Sequence, residues 1–144
     1  MYLWRHYLEL MLKQLVALGR RLDSNPDPRD YPDTHSLSDL WGEAHSLIGK
    51  HCYRAGENQQ DLEAVAAIVS EFARLDPSGE TFRYPVTRFE KRTGRREKTM
   101  PIPLFLGLDQ VAQRMKCVAN FLAGVEDVMD ESLHYQADVN SESF

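Results

Sequence analysis

An all-α fold, a bundle of four to five helices with a short β-hairpin or extended loop before the last one, is what this 144-residue sequence predicts. Three observations carry that expectation. Apolar residues recur at alternating spacings of three and four in four separate segments, which is the period of one helix face. Stretches rich in proline, glycine and asparagine separate those segments. The interval that breaks the period, "TFRYPVTRFEKRTGRREKTMPIP" over residues 81–103, is β-prone and basic instead.

The first segment, Tyr2 to about Asp23, places Trp4, Leu8, Met11, Leu15, Leu18 and Leu22 on one helix face. Leu3, Tyr7, Leu10 and Leu12 widen it, so this helix is expected to be buried on more than one side and central to the core. "SNPDPRDYPD" cannot continue a helix and reads as a loop. A second helix is expected after Thr34 or Ser36, either of which can cap it, with Asp39 in its first turn and Leu37, Leu40, Trp41, Ala44, Leu47 and Ile48 facing inward. A third runs from about Gln59 to Leu75 with Leu62, Val65, Ile68, Val69, Phe72 and Leu75 on one side, and "DPSG" stops it.

The last helix is expected from about Pro103 to Tyr135. Val111, Met115, Val118, Leu122, Val125 and Met129 form a heptad seam that must pack lengthwise on another helix. Between the third and last helices, "TFRYPVTRF" and "KTMPI" flank a turn at Gly94, and Pro85 and Pro101 forbid a long central strand. With 42% hydrophobic residues the chain supports one core, hence a single domain over residues 1–136 and an acidic, disordered tail over 137–144.

Composition narrows the function classes. No apolar run approaches the ~20 residues that cross a bilayer, and "MYLWRHYLEL" lacks the build of a signal peptide, so a cytoplasmic protein with no membrane partner is expected. Cys52 and Cys117 form no metal or redox spacing and read as buried free thiols. No Gly-rich phosphate loop, GxSxG or HExxH occurs, and no cofactor or metal is expected. The net charge of −5 conceals an asymmetry: residues 83–98 carry seven Lys or Arg against two Glu, and from Glu126 onward there are six acidic residues and no Lys or Arg. The basic set, Arg88, Lys91, Arg92, Arg95, Arg96 and Lys98 together with Arg83, is a candidate phosphate-binding ridge.

A second candidate lies in the first helix. "RHYLELMLK" sets Arg5, Glu9 and Lys13 at successive i,i+4 positions with His6 beside them, a polar row on an otherwise apolar helix. Such a row belongs at a cleft or interface, where each charge needs a partner, and His35 and Arg83 are the candidates to meet it.

"WRHYLELMLKQL", "THSLSDLW", "LDPSGETFRYP" and a closing long helix, in that order over residues 2–135, resemble the HEPN superfamily (higher eukaryotes and prokaryotes nucleotide-binding) in its bacterial RH-xx-E-xxx-K, H-x-L-xx-L and D-xxx-xx-FRYP form. The resemblance implies an all-helical bundle, commonly dimeric, from a superfamily that includes metal-independent ribonucleases of toxin–antitoxin and antiphage systems and also inactive members. It carries Arg5, His6, Glu9, Lys13, His35 and Arg83 over as motif positions. Active members use R-x4-6-H on a late helix, and neither the third nor the fourth helix contains one. In such proteins more chain usually precedes the RH helix, so an apolar face of the first helix is expected to be covered by a partner.

Two functions stay open at this point. One is a self-associating module of a bacterial defence or toxin-type system that binds nucleic acid or nucleotide without cutting it, beside a possible neighbouring-gene protein. The other is a metal-independent endoribonuclease acting as a dimer, with His35, Arg83, His6 and Arg5 as the catalytic candidates.

Overall fold

The computed structural model describes residues 2–23, 31–52, 59–79 and 107–142. They form four helices: α1 (Tyr2–Asp23), α2 (Leu37–His51), α3 (Gln59–Leu75) and α4 (Leu108–Glu142), with no strand among the described residues. The chain is all-α, as its periodicity predicts. The expected hairpin over 81–103 lies outside the described residues.

Helix α1 packs against both α2 and α4, and α2 against α3. Its central place follows from its apolar girth: Leu8, Leu12, Leu15, Val16 and Leu18 are all buried. Leu3 and Leu10, expected to extend that girth, are exposed instead. They stand seven residues apart on the side that neither α2 nor α4 covers. Gly19 lets α2 come close, since a Cβ there would lie 2.8 Å from the Leu47 Cβ. Beside that contact Arg20 donates to both carboxylate oxygens of Glu43, at 2.6 and 2.9 Å.

Ser36 is the N-cap of α2, its Oγ accepting from the Asp39 N–H at 3.3 Å, while Thr34 Oγ1 accepts from the Ser36 N–H at 3.1 Å. All six expected inward residues of α2 are buried. In α3, Leu62, Val65, Val69 and Phe72 are buried, whereas Ile68 and Leu75 are half-buried and line a groove toward α4.

The seam of α4 is buried from Met115 through Met129, and Val111 is half-buried. Burial, and after it the charge of Glu126, pushes the Tyr7 hydroxyl up, which sets Glu126 of α4 beside the early turns of α1. Residues 130–142 beyond it are half-buried or exposed, so α4 runs antiparallel to α1 and projects past its first turn.

Two expectations about α4 are corrected. The helix begins at Leu108, with Gly107 non-helical, and residues 103–106 lie outside the described residues. It continues through Glu142, beyond the Tyr135 end expected for it, so most of the supposed disordered tail is helical. The sequence from 136 to 142 holds no proline or glycine, and polar composition alone does not end a helix that is already nucleated. Cys117, expected to be buried, is exposed, and Cys52 is half-buried, which pushes its thiol up. No helix among the described residues is long and apolar enough to cross a membrane.

Candidate functional site

Because 3.6 residues make a turn, Arg5, Glu9 and Lys13 lie one above the other on α1. All three are buried, which is unusual for such residues and requires that each be paired. Glu9 is the hub. Its Oε2 accepts from Arg5 at 2.5 Å, and its Oε1 lies 3.2 Å from Lys13 Nζ and 2.7 Å from His35 Nδ1. Burial by itself raises the Glu9 carboxyl, but the hydrogen bonds of His35, Arg5 and Lys13 and the Lys13 charge outweigh it and hold the pKa at about 2.

Arg5, only 2% exposed, joins three parts of the chain. Besides Glu9, it donates to the His35 carbonyl at 2.7 Å and to the Asp76 carbonyl at 3.4 Å, and its Nε lies 3.5 Å from Asp76 Oδ2. The turn after α3 closes over the guanidinium. There Gly79 has φ +78, and a Cβ on it would stand 2.9 Å from Arg5 Cζ. Only a residue without a side chain takes that backbone conformation so near a fixed guanidinium at no steric cost. Lys13 also faces an aromatic ring, with Nζ 5.9 Å from the Tyr31 centroid.

His35 is the outward end of the cluster. Its side chain is 69% exposed while its Nδ1 is held by the buried Glu9. A carboxylate on one ring nitrogen fixes the ring's orientation and leaves Nε2 to face solvent as the acid, base or hydrogen-bonding atom. The residue is held twice, by its ring through Glu9 and by its carbonyl through Arg5.

Four of the six sequence candidates, Arg5, Glu9, Lys13 and His35, therefore meet. His6 points elsewhere: its contact among the described residues is a stack on the Tyr2 ring, with centroids 5.8 Å apart. Arg83 lies outside the described residues, as do Arg88, Lys91, Arg92, Arg95, Arg96 and Lys98. Reading the sequence missed Asp76, Gly79 and Tyr31 as members. "DPSG" was legible as a helix stop, but a stop does not reveal that its aspartate reaches back to α1.

The described charges of the cluster balance, Arg5 and Lys13 against Glu9 and Asp76. Among the described residues no group of three His, Cys, Asp or Glu is placed to hold a metal ion. Compared with known proteins, the chain matches no family model, no curated protein and no solved structure.

Proposed function

We propose that this chain is a HEPN-like module of a bacterial defence or toxin-type system, one that self-associates and binds nucleic acid or a nucleotide at the His35 end of the α1 cluster. The observation that supports this reading is the exposed His35 ring held through Nδ1 by the buried Glu9, with Arg5 fixing the same residue's carbonyl. A solvent-facing polar side chain clamped from behind by a buried ionic network is rigid before any ligand arrives, and preorganisation lowers the cost of binding. Arg83, a few residues past the Gly79 turn, and the basic set from Arg88 to Lys98 supply the positive charge that phosphates require.

Titration of the full chain with single-stranded RNA, single-stranded DNA and nucleotides at low salt tests the reading. His35→Ala and Arg83→Ala each weaken binding by roughly tenfold, the worth of one hydrogen bond to a charged group, with a smaller loss of stability than Glu9→Gln causes. Changing Arg92, Arg95 and Arg96 to Glu weakens polymer binding and flattens its salt dependence, because fewer counterions are released. Absence of binding to all three ligands sinks the proposal.

A second reading, a metal-independent endoribonuclease acting as a dimer, is favoured by the same carboxylate–histidine pair. With Nδ1 on Glu9, the Nε2 of His35 can take the proton of a ribose 2′-OH as its oxygen attacks phosphorus; the P–O5′ bond breaks to give a 2′,3′-cyclic phosphate, the 5′-oxygen takes a proton from water, and an arginine neutralises the phosphate. RNA cleavage that persists in EDTA and disappears in His35→Ala supports it. Intact RNA after prolonged incubation leaves binding alone.

A further inference from the structure

Five residues of α4 stand one heptad apart on one side of the helix: Arg114, Phe121, Val128, Tyr135 and Glu142. At 3.6 residues per turn this row lies roughly 80° around the helix from the buried seam, so the core does not use it. Arg114 and Glu142 are exposed, Phe121 is half-buried, and Val128 and Tyr135 are 43% and 71% exposed. The order basic, aromatic, aliphatic, aromatic, acidic is self-complementary when reversed. A second copy laid antiparallel puts Glu142 on Arg114, Tyr135 on Phe121 and Val128 on Val128.

We propose that two copies of this chain pair along this row, α4 antiparallel to α4 about a two-fold axis at Val128, each C-terminal extension lying in the groove between α3 and α4 of the other. This names the surface for the self-association proposed above and rests on that reading. The groove exists in the single chain, with a volume of about 660 Å³ and Ala64, Ile68, Arg114, Cys117 and Phe121 in its lining. It opens at the end of the row that the partner's Tyr135 and Glu142 would reach.

Charge selects the direction. The residues from Glu126 to Glu142 hold six carboxylates and no Lys or Arg. Parallel pairing would lay these two acidic extensions side by side, with Arg114 on Arg114 and Glu142 on Glu142. Antiparallel pairing moves the Asp138–Glu142 end of each extension to the other copy's Arg114, and leaves only the carboxylates within three residues of the axis near their counterparts. Length agrees as well: from Arg114 to Glu142 the row spans about 42 Å, beyond the ~33 Å of α1, so part of α4 is supported by a neighbour only in the pair. An isolated helix as short as the projecting end is marginal in water.

Sedimentation of the full chain across the micromolar range tests the proposal, with circular dichroism to show that each variant keeps its helices. Tyr135→Glu, on a surface residue, weakens the dimer by about tenfold or more, as expected for an aromatic anchor. Arg114→Glu and Glu142→Arg each weaken it by about two- to fivefold, and the double variant regains the loss. A dimer indifferent to Tyr135→Glu, or a double variant weaker than either single one, overturns this surface and leaves self-association standing. A chain that stays monomeric at the highest concentration overturns both, and the nucleic-acid titration then judges binding separately.

Discussion

Helix α1 carries two carboxylate–lysine–histidine groups, one near each end, and they differ chiefly in their access to water. Near its start Glu9 meets Lys13, His35 and Arg5 with every charged partner except the His35 ring buried. At its end Asp23 pairs with Lys50 and accepts at 2.8 Å from His51, both from α2. The hydrogen bond of Lys50, opposed by some desolvation and aided by His51, lowers the Asp23 carboxyl too. The same residue types thus make a buried network in one place and a solvated surface group in the other. Desolvation decides what each is worth: a buried pair that loses a partner strands a charge, whereas a surface pair exchanges its partner for water.

The comparison breaks most visibly under neutralisation. Glu9→Gln leaves Arg5 and Lys13 buried without their shared carboxylate and should cost ~3–5 kcal/mol in denaturant titration. Asp23→Asn should leave the midpoint unmoved within error. Equal losses would mean that burial does not separate the two groups.

A smaller loss comes from crowding the buried group without touching a charge. Gly79→Ala places a Cβ against the Arg5 guanidinium in a left-handed conformation and should cost ~1–2 kcal/mol. A Gly79→Ala chain as stable as the parent would show that the turn yields and that Arg5 is not clamped from that side.

The same network is also read in acid. Glu9 has a folded pKa of about 2 against an ordinary value of 4.5, so its contribution is fully present above about pH 4.5 and fades as pH falls toward 2. The stability of the parent should therefore drop more steeply across that window than that of Glu9→Gln. Parallel acid profiles would detach the buried network from acid unfolding.

What was legible in the sequence is what has a period. Helices α1, α2 and α3 and the α4 seam follow from three–four spacing, and Arg5, Glu9 and Lys13 are one face by the same arithmetic. His35, just before a capped helix, was legible as a candidate to meet that row, and Glu9 holds its ring. Asp76 and Tyr31 were not legible as partners, because they reach α1 through tertiary closure and no local pattern records it. The end of α4 was misjudged for a related reason. Residues 136–142 have the composition of a tail, yet they continue a helix whose stability was set two turns earlier by the seam ending at Met129.

The Arg5 guanidinium touches residues 30 and 71 positions away along the chain. Its desolvation is compensated only once the leader of α2 and the turn after α3 have both arrived, so a partly assembled α1–α2 pair must hold a charge that is not yet satisfied. That makes the last steps of assembly mutually dependent. Backbone amides of α1 near Arg5 and those of the turn at Asp76 should then exchange with solvent through one shared opening, although the two segments stand at opposite ends of the α1–α3 sequence.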